Sequence, residues 1–231
     1  MDSNKKTARI AGFLYLIVVL TGLFTLMYVP SEIIRWDNAD ATFNNIIESE
    51  SLFRFSIAAG ILCYTAFLIL PIVLYKLLSP VSKTHAIAMV VLSMVTVPYS
   101  LVNLLNKVNI LTLISNQEYL QTIELGRLQA EVMLSIDYYN NGIQIISVFW
   151  GLWLLPFGYL VFKSGFLPKI LGILLMIGCF GYLINFTGNF LFPDYYTDLG
   201  ISRIVSLPAS LGEIGICLWL LIVGVKETKN S

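Results

Sequence analysis

The sequence predicts an all-α polytopic membrane protein, a six-transmembrane-helix bundle with amphipathic external helices. Three observations lead there. Of the 231 residues, 57% are hydrophobic and only 12% charged, against about 25% charged in a soluble domain. Six long apolar runs occupy residues 10–29, 55–75, 86–105, 143–162, 170–190 and 208–225. At about 1.5 Å rise per residue, a run of about 20 residues matches the hydrocarbon thickness of a bilayer, about 30 Å. The third observation is the stretch Gly142–Phe186, where two such runs flank a short turn holding Lys163, Ser164, Gly165, Pro168 and Lys169. That pattern is a transmembrane hairpin with a basic turn. The length leaves room for one membrane domain over residues 1–231 and no separate soluble domain.

The elements follow in order. Lys5, Lys6 and Arg9 precede the first run, which is longer than a signal-peptide core and lacks a small-x-small cleavage site. It reads as an uncleaved span. Residues 30–54 are acidic, and Asp40 is placed to cap a short helix with Phe43, Ile46 and Ile47 on one face. Trp36 suits a membrane interface. The second span ends at Lys76, and the third contains Pro98, which removes one backbone hydrogen bond and kinks the helix. In the long segment 106–142, Leu125, Leu128, Val132 and Ile136 recur at helical spacing opposite Glu124, Arg127 and Glu131. This predicts an amphipathic helix outside the membrane, broken by Asn140-Asn141-Gly142 before the fourth span. After the hairpin comes an acidic loop with Asp194 and Asp198, then a sixth span with Pro208 in its first turn.

Charge orients the chain. The two tails and two short turns carry nine basic and two acidic side chains, whereas the three long segments carry five basic and eleven acidic ones. The excess of Lys and Arg marks tails and short turns as cytoplasmic, which implies a multi-pass protein of the plasma (inner) membrane with both termini inside. The net charge of zero gives no basic balance for nucleic acid, so membrane lipids and a small-molecule ligand are the expected partners.

Motifs for chemistry are lacking in the sequence. Its one histidine, His85, rules out an HExxH site. Neither a nucleophile elbow nor a phosphate-cradling glycine loop occurs. Cys63, Cys179 and Cys217 all sit inside apolar runs without a CxxC pair, which reads as packing rather than a metal or disulfide framework. No catalytic, cofactor-binding or metal residue is expected.

The informative residues are polar groups at membrane depth. Glu213 is the only acid within an apolar run. An isolated charge there costs at least about 2.5–3.5 kcal/mol, so the carboxyl must be paired, protonated or wet. Counting helical rise places Asn185, Asn189, Asn103 and Gln144 at a similar depth in the outer leaflet, with Arg54 opening the second span. These six residues form a candidate outward-facing polar pocket in which Arg54, Asn185 or Gln144 compensates Glu213. Lys107 reads as a side chain snorkelling to headgroups, and Trp150 and Trp153 read as packing.

Three stretches carry a resemblance: ARIAGFLYLIV near the start, LFRFSIAAGIL from Leu52, and GYLVFKSGFLPKILGILL from Gly158, with Gly158, Tyr159, Ser164, Gly165, Pro168, Leu171 and Gly172 in a spaced pattern. The chain resembles the bacterial integral-membrane family of domain of unknown function 4386 (DUF4386) from about Lys6 to Val225. The resemblance implies an all-helical multi-span protein and carries over no catalytic residue, cofactor or substrate. Three function classes stay open: a module binding or sensing a small molecule or lipid headgroup, a transporter or transporter subunit, and a membrane enzyme acting on lipids. The apolar inner halves of the spans and the absence of a paired broken-helix signature favour the first.

Overall fold

A computed structural model describes residues 3–115 and 117–225. Asp2 and the tail with Lys226, Glu227 and Lys229 lie outside the described residues. The fold is all-α, and among the described residues there is no strand. Six helical stretches are long and apolar enough to cross a membrane: Ser3–Ile33, Glu50–Leu78, Lys83–Leu113, Leu125–Lys163, Lys169–Leu191 and Ile201–Ile222. All six expected spans are present, and most of their helices run past the apolar limits read from sequence.

The first stretch comprises α1 (Ser3–Leu23), a π-helical segment (Phe24–Tyr28) and α2 (Val29–Ile33). Next come α3 (Ala39–Glu48) and α4 (Glu50–Leu78). The third stretch divides into α5 (Lys83–Met94), α6 (Thr96–Asn103) and α7 (Leu105–Leu113). Pro98 has no N–H to close on Met94, four residues earlier, and the first interruption falls beside it at Val95. Then follow α8 (Leu125–Lys163), α9 (Lys169–Leu191), α10 (Pro193–Leu199) and α11 (Ile201–Ile222).

Four expectations are corrected. Asn140-Asn141-Gly142 does not break a helix: α8 runs through it for 39 residues, about 58 Å. Gly142 marks a close approach instead, since a Cβ there would overlap the Asn103 side chain. The cap of α3 is Asn38, whose Oδ1 accepts from Ala41 N at 2.9 Å, rather than Asp40. In α3, Phe43 and Ile46 are buried but Ile47 is 45% exposed, so the apolar face is narrower than read. Pro208 lies inside α11, which starts seven residues earlier at Ile201 behind the left-handed Gly200 (φ +60°).

The contacts divide the chain into two compact units. The first comprises residues 1–17, 65–98 and 144–231. Its core centres on Trp153, stacked on Phe157 at 5.1 Å and met edge-on by Phe67 at 5.2 Å, with Tyr15 beside both rings. Trp153 thus fills the packing role read from sequence. Helices α9 and α11 approach closely through small residues: a Cβ on Gly178 would meet Ala209 and one on Gly181 the Val205 carbonyl, while Gly212 faces the Leu174–Leu175 backbone. Such pairs let helix backbones touch where no hydrophobic force separates helix from lipid. The basic turn before α9 is fixed by Ser164, whose Oγ donates to Val161 O and accepts from Leu167 N.

The second unit comprises residues 18–64 and 99–143. Val29, Ile33, Phe43, Ile46, Phe53, Ile57, Ile110, Leu113, Val132 and Ile136 form its apolar core. The stripe predicted on the start of α8 therefore buries Val132 and Ile136, while Leu125 stays exposed. Polar ties complete the unit. Asn45 Nδ2 donates to Ile33 O, Thr42 Oγ1 bridges the N–H and C=O of Arg35, and Gln129 reaches Asp40 at 2.8 Å.

Candidate functional site

The second unit buries a lysine that reads in the sequence as snorkelling to headgroups. Lys107 on α7 is 5% exposed. Its ammonium donates to Thr25 O at 3.2 Å and Thr25 Oγ1 at 3.1 Å, and sits 4.5 Å from the centre of the Tyr139 ring. Among the described residues no carboxylate lies within ion-pair distance of it. Neutral oxygens and an aromatic face are its whole described environment.

Local sequence explains why an oxygen is available. In an α-helix the carbonyl of Thr25 would accept from Val29 N. Here Val29 N closes on Phe24 O, five residues back, which is the π-type bond. The next residue along is Pro30, which has no N–H to offer. Thr25 O is thereby released from the helix, and a buried carbonyl must find another donor. Lys107 supplies it. The Thr25 hydroxyl is committed as well, donating to Ser56 O at 2.9 Å while accepting from Lys107.

Other hydroxyls gather around this centre. Tyr139, Tyr64 and Ser100 are buried, and their side-chain oxygens have no hydrogen bond of normal geometry, although Tyr64 neighbours both Tyr139 and Ser100. On α6, Asn103 Nδ2 donates to Tyr139 O at 2.9 Å and its Oδ1 accepts from Asn106 at 3.1 Å. Asn103 thus holds α6 to α8 and fixes the Tyr139 ring beneath the ammonium.

Lys107 also lines a narrow cleft: its empty space of about 360 Å³ is mostly the open mouth, and the enclosed part is about 20 Å³. Apart from Lys107, Tyr139 and Asn140, the walls are Val29, Pro30, Ile33, Ile34, Phe53, Ile110 and Ile136. An apolar pocket with few convergent polar groups is the usual form of a small-molecule site. None of the six residues expected from sequence lines it.

Those six residues separate into local arrangements. Arg54 closes on Glu50 at 2.6 Å, an i,i+4 pair with both side chains largely exposed. Glu213 on α11 is partly exposed and accepts from the Tyr182 hydroxyl of α9 at 3.3 Å, with the buried Tyr15 hydroxyl nearby at no normal hydrogen-bond geometry. Its compensation is thus a tyrosine, not Arg54, Asn185 or Gln144. Phenol donors suffice because a hydroxyl can serve a carboxyl group in either protonation state. Asn185 donates to Ser206 Oγ at 2.8 Å and accepts from Tyr196 OH, while Asn189 donates to the Asn185 carbonyl. Burial raises the Tyr196 hydroxyl above its ordinary pKa, which keeps it a donor at neutral pH. Gln144 contributes its backbone carbonyl to Ser147. Interhelical glue accounts for Asn103 and Asn185, while the bond of Asn189 stays within α9.

Lys107 does not snorkel to headgroups, because its ammonium is held by Thr25 inside the unit; Thr25 and Tyr139 drew no attention in the sequence. One signal was present: Thr25 stands five residues before Pro30, the spacing at which a π-bond would need the N–H that proline lacks. The Glu50–Arg54 spacing likewise announced a local pair.

Comparison with known proteins adds the relationship. A relative from Archaeoglobus fulgidus, described as an uncharacterized protein, is 35% identical over 79 residues, which are 34% of this chain and 44% of the relative. The matched stretch thus spans less than half the length of that relative. No solved structure matches. The family model of domain of unknown function 4386 matches residues 10–224. With nearly the whole chain covered, the protein belongs to the DUF4386 family.

Proposed function

We propose that the protein is a binding or sensing module of the plasma membrane that takes up a small molecule or lipid headgroup at the Lys107 cavity. One observation carries this reading: a lysine 5% exposed, without an acid partner among the described residues, lines a cleft whose walls are otherwise nearly all apolar. A charge kept in apolar surroundings without a counter-ion is costly. A fold that needed only a donor for the Thr25 oxygens is served by a neutral amide side chain, without the cost of a buried charge. Retaining the charge makes sense when a ligand completes its environment. With the basic tails and turns inside, the acidic segments and this cavity face outward.

The test is retention of a ligand through purification. Wild-type protein extracted in a mild non-ionic detergent is expected to release a bound small molecule or lipid on denaturation, identified by mass spectrometry. Ile34→Trp, which fills the cavity from its wall, should abolish this without lowering the melting temperature. Identical extracts from wild type and Ile34→Trp would overturn the proposal.

A further inference from the structure

We infer that the cavity receives the terminal carboxylate of a single-chain amphiphile, a long-chain carboxylic acid in its anionic form. This names the ligand class of the proposed binding site and rests on that reading.

Hydrogen-bond capacity comes first. An ammonium has three N–H donors, and Thr25 O and Oγ1 take two of them. One remains, and the Asn140 amide brings two more N–H donors and Tyr139 a hydroxyl to the lining. These donors suit the oxygens of an anionic headgroup.

Charge selects among anions. Lys107 is the one charged residue of the lining, so an occupant with a single negative charge leaves a neutral assembly. A phosphate monoester carries about −1.5 to −2 at neutral pH and would leave an excess charge among apolar walls. A neutral headgroup would leave the ammonium as costly as before. Position selects further. Lys107 is buried, so the anion must sit at the end of the molecule to reach it; in a phosphodiester lipid the charged oxygens lie between two substituents. The remaining walls, Val29, Pro30, Ile33, Ile34, Phe53, Ile110 and Ile136, offer a hydrocarbon chain the contacts that it prefers to water.

The test uses the full chain in nanodiscs of zwitterionic phosphatidylcholine, with radiolabelled laurate as probe and empty discs subtracted. Dodecanol and dodecyl phosphate serve as competitors. Saturable laurate binding is expected, with dodecanol and dodecyl phosphate each competing at least tenfold more weakly. Lys107→Met should weaken laurate by at least about 30-fold, the effect of truncating one partner of a buried charge pair. Ile34→Trp should block all three compounds. If dodecanol competes as well as laurate and Ile34→Trp blocks both, the cavity binds ligands but the carboxylate inference is overturned. Stronger competition by dodecyl phosphate also overturns it. If Ile34→Trp changes nothing, the binding reading fails along with the inference. The comparison of the three probes on wild type decides the headgroup even if Lys107→Met does not fold.

Discussion

Replacing Thr25 by valine isolates the tie between the π segment and Lys107. The substitution keeps the volume of a side chain 1% exposed and removes one hydroxyl. That hydroxyl accepts from the ammonium at 3.1 Å and donates to Ser56 O at 2.9 Å. A hydrogen bond to a charged group contributes about 1.5–3 kcal/mol and a neutral one about 0.5–1.5 kcal/mol. Inside membranes measured values fall lower, about 0.6 kcal/mol on average with a maximum near 1.7. The charged bond belongs at the upper end of that range, because Lys107 has no acid among the described residues to fall back on. Thr25→Val should therefore destabilise by about 2–3 kcal/mol. In a Lys107→Met background only the Ser56 bond is left to lose, and the cost should drop to about 1 kcal/mol. The coupling energy is then about 1–2 kcal/mol, readable by reversible unfolding with increasing SDS mole fraction in a double-mutant cycle. Additivity within about 0.3–0.5 kcal/mol would refute the reasoning, for it would mean that the hydroxyl serves the helix pair and not the ammonium.

Gly181→Ala should cost about 1–3 kcal/mol as an overpacking change, since its Cβ would overlap the Val205 carbonyl, whereas Gly126→Ala, with open space around it, should be neutral or slightly stabilising in the same assay. Single cysteines at Glu124 and Val132 should differ sharply in labelling by a membrane-impermeant maleimide, fast at the exposed Glu124 and slow at the 0% exposed Val132; fast labelling in intact cells would put the tails inside, and labelling only after permeabilisation would reverse the proposed orientation. Tyr196 holds its proton more tightly folded than unfolded, so its contribution is complete below the ordinary tyrosine pKa near 10 and fades as pH rises through the raised value. Tyr196→Phe should accordingly flatten the loss of melting temperature above about pH 10, and an unchanged alkaline slope would contradict the assignment.

The spans were legible because a run of apolar residues has one physical explanation in lipid. Their ends were not, because a helix does not stop where the hydrocarbon stops. α7 and the first part of α8 continue through Asn106, Asn109 and Ser135, where the Asn109–Ser135 hydrogen bond at 3.0 Å ties one helix to the other. At Asn140-Asn141-Gly142 the residue types fit a turn equally well, and the approach of Asn103 to Gly142 decides for the helix. The site escaped for a related reason. Depth counting assigns a height to each polar residue but no direction around the helix axis. Glu213, Asn185 and Arg54 therefore looked like one group, while each had a nearer partner in Tyr182, Ser206 or Glu50. Tyr182 stands inside an apolar run, where a phenol reads as packing rather than as a carboxylate's partner.

The π segment between Phe24 and Tyr28 sets a register. Its backbone bonds close five residues back instead of four, so the carbonyl that Pro30 leaves without a donor is that of Thr25. In a regular α ladder the same proline would leave the carbonyl four residues before it, at Leu26, about 100° further round the helix. Deleting one residue between Thr25 and Val29 would bring Thr25 to four residues before Pro30 and keep its oxygen free without any π turn. The π turn and the proline together therefore decide which oxygen is offered to Lys107.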